Sequence, residues 1–258
     1  MKMTVLITGA SSGIGLELSR VFARNSYDLV LVARSLERMT ELAAELNRNF
    51  GCRVHIVPVD LSEHGASLAV YQEVQRLGVD IDVLVNNAGV GLYGEFEQQD
   101  WKSLDRMITL NIHSLTHLTH LFLPAMKLRS AGRIIQIAST AAFQPGPTMA
   151  VYYATKSYVL SFSSALQHEM KGTGITVTTI CPGPTRSGFQ DNAEMGGSRL
   201  FSMMAIPGSD VVAEFTYKMA MKGKTVAIHG WLNRVMAFLT RIMPRWILMS
   251  VAKSIMAK

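Results

Sequence analysis

Thr8-Gly9-Ala10-Ser11-Ser12-Gly13-Ile14-Gly15 is the stretch on which the fold turns. It follows a short β-branched run, Thr4–Thr8, and leads into an amphipathic stretch over 13–25. Glycines at these spacings let a chain turn tightly from strand to helix and bring its backbone close to a pyrophosphate, whose charge sits on the helix N-terminus. Ser11 and Ser12 can cap that helix or bond phosphate oxygens. A plain tight turn would use the same residues, so the neighbours of the run must decide.

Outward from this run the same alternation repeats. Leu29–Ala33, Val54–Val59, Ile81–Val85, Arg133–Ala138 and Ile175–Cys181 are short, β-branched and apolar in consecutive positions. Strands buried on both faces have this signature. Helical stretches are expected between them, over 36–48, 64–77, 101–128 and 152–171. The order predicts an α/β protein with a doubly wound parallel sheet, a Rossmann fold of three α/β/α layers. Residues 1–229 would form one such domain and 230–258 a C-terminal helical arm. Ligands of these sheets bind beyond the carboxyl ends of the strands, so the residues just after each strand carry the functional reading.

After the second strand comes Arg34, 19 residues past Gly15. A dinucleotide site that takes NAD(H) has an acid near this point for the ribose 2′-hydroxyl. An arginine suits a 2′-phosphate by charge and by its planar fork, and Arg38 stands one helical turn further on. NADP(H) is therefore the expected cofactor. Asp60-Leu61-Ser62 follows the third strand and Asn86-Asn87-Ala88-Gly89 the fourth. By themselves these could simply cap a turn or tie loop backbones together.

Ser139 follows the fifth strand, and 13 residues later stands Tyr152-Tyr153-Ala154-Thr155-Lys156. Tyr152 and Lys156, at i and i+4, share one face of a helix. A free phenol loses its proton near pH 10. The sequence leads us to expect that the lysine, with a nicotinamide cation, lowers this value. Tyr152 could then exchange a proton with a carbonyl oxygen, to which Ser139 would also donate a hydrogen bond. Tyr153 has no lysine at i+4 and is expected to pack or to wall a pocket.

Taken together, the glycine run at 8–15, Asp60, Asn-Asn-Ala-Gly at 86–89, Asn111, Ser139, Tyr-x-x-x-Lys at 152–156 and Pro-Gly at 182–183 resemble the short-chain dehydrogenase/reductase family, in its compact single-domain branch. The resemblance covers about residues 1–190. It implies a Ser139–Tyr152–Lys156 centre, with Asn111 holding a water that links Lys156 to solvent. It also implies adenine contact at Asp60 and Leu61, and an adenosine wall at Asn87, Ala88 and Gly89. Lys156 would bond the nicotinamide ribose. Pro182-Gly183-Pro184-Thr185-Arg186-Ser187 looks like the carboxamide-binding loop. Thr185 stands where valine is usual and Ser187 where threonine is common. The implied activity interconverts a carbonyl and an alcohol on a small molecule, in a homodimer or homotetramer. A nucleotide-binding regulatory protein without turnover is the other class to weigh, and the complete Ser139, Tyr152, Lys156 and Asn111 set speaks against it.

The rest of the chain bounds the reading. Its 258 residues are 48% hydrophobic and 17% charged, which excludes a disordered chain. Two cysteines, Cys52 and Cys181, make no disulfide framework. The N-terminal apolar run is too short for a signal peptide, and no uncharged stretch reads as a membrane span, so a cytoplasmic location is expected. The net charge of +6 is uneven: eight basic and no acidic residues follow Glu214, against 17 basic and 19 acidic up to it. A nucleic-acid footprint over the whole domain is not expected.

Residues 188–222 are expected to form a substrate lid. Met195, Met203, Met204, Met219 and Met221 there fit either an apolar ligand or helix packing. Gly230–Met243 reads as an amphipathic helix that Pro244 ends, suited to a peripheral membrane contact, to its own core or to a partner subunit. His113, His117 and His120 share a helix face, but no metal is expected, because no acid or cysteine completes a ligand set.

Overall fold

The computed structural model describes residues 2–187, 206–244, 246, 248 and 249. Seven parallel strands form one sheet in the order β3-β2-β1-β4-β5-β6-β7. They are β1 Thr4–Thr8, β2 Asp28–Ala33, β3 Val54–Pro58, β4 Val83–Asn86, β5 Gly132–Ile137, β6 Ile175–Cys181 and β7 Val226–Ile228. The first six lie where the apolar runs place them, with ends moved by at most two residues. Every residue of β1, β2 and β4 is buried. Helices therefore cover both faces, as a wholly parallel sheet whose strands are joined through helices requires.

On one face pack α1 (Gly13–Arg24), α2 (Leu36–Phe50) and α7 (Ser209–Met221), with Leu18, Phe22, Met39, Leu46 and Ala213 in the core. On the other lie α3 (Ala66–Leu77), α5 (Leu115–Leu128) and α6 (Ala150–Glu169), with Val70, Val74, Leu118, Phe122, Met126 and Leu166 buried. The chain order reverses between β1 and β4, and the crevice at the carboxyl ends of these strands is the natural ligand site.

Three features differ from the expectation. The single helix over 101–128 is instead α4 (Trp101–Ile108), a π-helical turn at Thr109–Ser114, and α5. β7 has three residues, too few for a periodic signal. The span 188–222 expected as a lid is also not all lid: its last part, α7, is a layer helix, and residues 188–205 lie outside the described residues. Val212, Ala213, Thr216 and Ala220 are buried, Met219 and Met221 pack on the core beside α1, and Arg24 pairs with Glu214. An apolar stripe that faces a ligand and one that faces a sheet have the same period, so sequence does not separate them. Met195, Met203 and Met204 lie outside the described residues.

The arm begins with α8, Trp231–Leu239, shorter than the 230–243 expected. Ala237 is buried there, whereas Trp231 is 75% and Phe238 60% exposed. No helix among the described residues is long and apolar enough to cross a membrane.

Candidate active site

The glycine run builds the floor of the site. Gly9 takes φ +69°, and its N–H donates to the Val32 carbonyl at 2.8 Å, which turns the chain out of β1. Gly13, at φ +54°, starts α1. These dihedrals are costly for any residue with a Cβ. Gly15 serves close approach: a Cβ there would overlap the Gly9 carbonyl and stand 2.5 Å from Asn87 Nδ2. Gly15 is therefore a packing glycine beneath the site, not part of its wall. Ser12 is the α1 N-cap residue, but its side chain bonds no helix N–H, and the first turn carries no acid. The helix end is thus open to an anion.

From this loop a cavity of about 340 Å³ runs along the carboxyl edge of the sheet. Gly9, Ser11, Ser12, Gly13 and Ile14, beyond β1, line its middle together with Asn87, Ala88 and Gly89, beyond β4. Arg34, Asp60 and Leu61, beyond β2 and β3, line one end, and Ser139, Tyr152, Lys156, Pro182, Gly183, Thr185 and Ser187 the other. Most residues singled out from the sequence thus share one cleft. Arg38 does not. Its side chain is exposed on α2, outside the cavity wall, and its backbone N–H is used by the Ser35 cap.

The Asn-Asn pair does what its plainer reading requires. Asn87 Nδ2 donates to the Thr8 and Gly9 carbonyls at 2.9 and 3.4 Å, and Asn86 Nδ2 to Thr119 Oγ1 at 3.0 Å. Thr8 Oγ1 accepts the N–H groups of Asn87 and Ala88. These bonds lock the β1 and β4 loops together, and Asn87 lines the cavity with its amide already engaged. In the carboxamide-type loop, Thr185 Oγ1 donates to the Gly183 carbonyl at 3.0 Å and Ser187 Oγ to Thr185 at 3.4 Å.

At the far end the geometry is tight. Ser139 caps a 3-10 turn, Thr140–Phe143, by accepting from Ala141 N at 3.1 Å, and it also hydrogen-bonds Tyr152. Lys156, 5% exposed, donates from Nζ to the Ile137 carbonyl at 2.9 Å. Nζ lies 5.9 Å from the centre of the Tyr152 ring. Asn111 sits in the π-turn and pairs with the backbone of Val90 in both directions: Oδ1 accepts its N–H at 3.0 Å, and Nδ2 donates to its carbonyl at 2.9 Å. The same Nδ2 reaches Thr155 Oγ1 at 3.0 Å. Asn111 Oδ1 and Lys156 Nζ both face Gly89, within 3.2 and 3.3 Å of where a Cβ would stand. Tyr153 lines the cavity, its ring against Gly146.

The electrostatics correct one expectation. The Tyr152 phenol is pushed up, because burial opposes the phenolate more than the Ser139 bond favours it. Burial likewise pulls Lys156 down to about 8, with Cys181 opposing. The Cys181 thiol is held up at about 12 by burial. A spacing of i to i+4 fixes proximity, but the degree of desolvation is a tertiary property.

One charged residue in the cavity wall escaped the sequence reading. Arg106 of α4 donates to Asp60 Oδ2 at 2.7 Å and pairs with Glu63 at 3.0 Å. Only its spacing from Asn111 could have drawn attention to it. Of the three helix-face histidines, His113 and His117 form an edge-to-face row with His64. Among the described residues no three His, Cys, Asp or Glu side chains are arranged to hold a metal.

A glycine loop, an open helix end and a buried Ser–Tyr–Lys cluster around one cleft define a nucleotide-dependent oxidoreductase scaffold. Residues 3–196 match the family model for short chain dehydrogenases. The chain belongs to the short-chain dehydrogenase/reductase family. It is 33% identical over 246 residues to sulfoacetaldehyde reductase 2 of Chromohalobacter salexigens, covering 93% of this chain and 96% of that one. It is 34% identical over 220 residues to the NADP-dependent 3-hydroxy acid dehydrogenase YdfG of Escherichia coli, 84% and 82% of the two chains. Among solved structures, a short-chain dehydrogenase from Sphingobium yanoikuyae in complex with NADPH superposes with a TM-score of 0.83 at 32% identity, over 94% and 97% of the chains.

Proposed function

We propose that the protein is an NADP(H)-dependent carbonyl reductase, or the matching alcohol dehydrogenase, acting on an apolar or amphipathic small molecule with Tyr152 as the general acid/base. The observation that carries this reading is the gathering of Ser139, Tyr152 and Lys156 at one end of a cleft whose middle is the glycine loop and whose other end holds Arg34. The loop and the α1 N-terminus would hold the pyrophosphate, Arg34 the 2′-phosphate, and Lys156 with the 182–187 loop the nicotinamide end. The bound dinucleotide supplies a hydride. Tyr152, neutral at physiological pH, donates a proton to the carbonyl oxygen, and Ser139 donates a hydrogen bond to that oxygen. Ala141, Met149 and Tyr153 give the catalytic end apolar walls, which supports an apolar substrate.

The test is Tyr152→Phe. Turnover on a ketone panel with NADPH is expected to vanish while NADPH still binds. Equal turnover in variant and wild type would refute the assignment. Failure of the wild type on every ketone and alcohol, with NADPH bound, would favour a regulatory nucleotide-binding role.

A second reading, a membrane-peripheral enzyme on lipid-like substrates, draws on α8. Its exposed Trp231, Val235 and Phe238 stand in a segment whose charged residues are all basic. The competing occupant of this face is a second subunit of a homodimer or homotetramer. Flotation with anionic liposomes, beside light scattering of the lipid-free protein, separates the two.

A further inference from the structure

The adenosine end of the cleft carries a charge problem that the family motifs leave unanswered. Arg34, the residue placed to receive a 2′-phosphate, has its Nη1 4.0 Å from Asp60 Oδ2. A bare carboxylate at that distance would draw the guanidinium onto itself. A closed Arg34–Asp60 pair offers a phosphate neither the positive charge nor the free donor fork. Yet Asp60 already accepts three hydrogen bonds from other groups. Its Oδ1 accepts from Ser62 N at 3.0 Å and Ser62 Oγ at 2.7 Å, and its Oδ2 accepts from Arg106 at 2.7 Å. The second arm of Arg106 pairs with Glu63 at 3.0 Å. Arg34 meanwhile remains 68% exposed on the cavity wall.

We propose that Arg106 is a positioning and specificity-determining residue for the cofactor: by pairing with Asp60 and Glu63 it weakens their pull on the guanidinium of Arg34, which stays available to the 2′-phosphate. The inference rests on the dinucleotide reading of the cleft. It adds that preference for the phosphorylated cofactor depends on a residue that contacts Asp60 and need not touch the phosphate. Without Arg106, Asp60 faces the adenosine end lacking that partner, and Glu63 beside it loses its own. Asp60 then closes on Arg34, and any 2′-phosphate must compete with it. NADH, which lacks that phosphate, is affected only through the shared adenosine contacts. The ratio of the two dissociation constants therefore isolates the effect.

The experiment measures Kd for NADPH and NADH by fluorescence titration. It compares wild type with Arg106→Met, Arg106→Met/Asp60→Asn, Arg106→Lys and Arg34→Met. In Arg106→Met the NADH-to-NADPH ratio of Kd values is expected to fall about fivefold, the factor one unit charge 4.0 Å away contributes in a water-like dielectric. Arg106→Met/Asp60→Asn should recover most of that loss, because the competing charge is gone. Arg106→Lys keeps the charge and should hold the ratio near wild type even if Arg106→Met folds poorly. An unchanged ratio in Arg106→Met, or no recovery in the double variant, overturns the proposal. An unchanged ratio in Arg34→Met overturns instead the assignment of Arg34 on which it rests.

Discussion

Replacing Lys156 by methionine should abolish catalysis and, at neutral pH, make the apoprotein more stable. Lys156 is fully enclosed, and burial brings its proton affinity down from 10.5 to about 8. At about 1.4 kcal/mol for each tenfold change in affinity, holding the cation in the native state costs roughly 3 kcal/mol at pH 7. Between about pH 8 and 10.5 the unfolded chain binds this proton more tightly than the native one, so stability rises with pH across that window. Integrating between the two values, roughly 2 kcal/mol of the cost is recovered by pH 9.5. Methionine is close in length and carries no charge. It forfeits the 2.9 Å bond to the Ile137 carbonyl, a loss of about 1 kcal/mol that does not vary with pH. Urea unfolding of both proteins at pH 7 and 9.5 is the assay. Other titrating groups are common to the two and cancel in the difference of differences. The expected result is an excess rise of roughly 2 kcal/mol in the wild type alone. Equal rises in both proteins would refute the reasoning.

Other outcomes follow from the same geometry. With NADPH saturating, kcat/KM for ketone reduction should fall by roughly tenfold per pH unit above about pH 8, as Lys156 loses its proton; a profile flat to pH 9.5 would contradict this. Gly15→Ala forces a methyl against Gly9 and Asn87, so urea unfolding should show a loss of about 1–3 kcal/mol and calorimetry a weakened NADPH complex. Arg34→Asp should turn cofactor preference toward NADH, read from the two Kd values, and an unchanged ratio would deny Arg34 its role.

Much of this architecture is legible in the chain because its causes are local. Val5-Leu6-Ile7 and Leu29–Val32 have no polar face, so they can only be strands covered on both sides. The glycine run states its own backbone requirement. Tyr152 and Lys156 share a helix face by arithmetic alone. What escaped depends on distant parts of the fold. Met219 and Met221 read equally as lid or layer, and the position of α1 decides. The direction of the Tyr152 and Lys156 shifts depends on enclosure, which no spacing records. Asn87 spends its amide on Thr8 and Gly9, partners far away in sequence. Arg106 looks like an ordinary solvated helix residue until the fold sets it 2.7 Å from Asp60.

The π-turn at Thr109–Ser114 behaves like an extra tooth in a gear. It advances the helix by one residue more than the ordinary turn needs, and so sets the phase between α4 and α5. Removing one residue there would let the hydrogen bonding close into a regular spiral, at the cost of turning one half about 100° against the other. Asn111 would swing off Val90 and Thr155, and Arg106 off Asp60, in one movement. The catalytic and adenosine ends of the cleft are thus geared to a single irregularity, and a more perfect helix would misalign both.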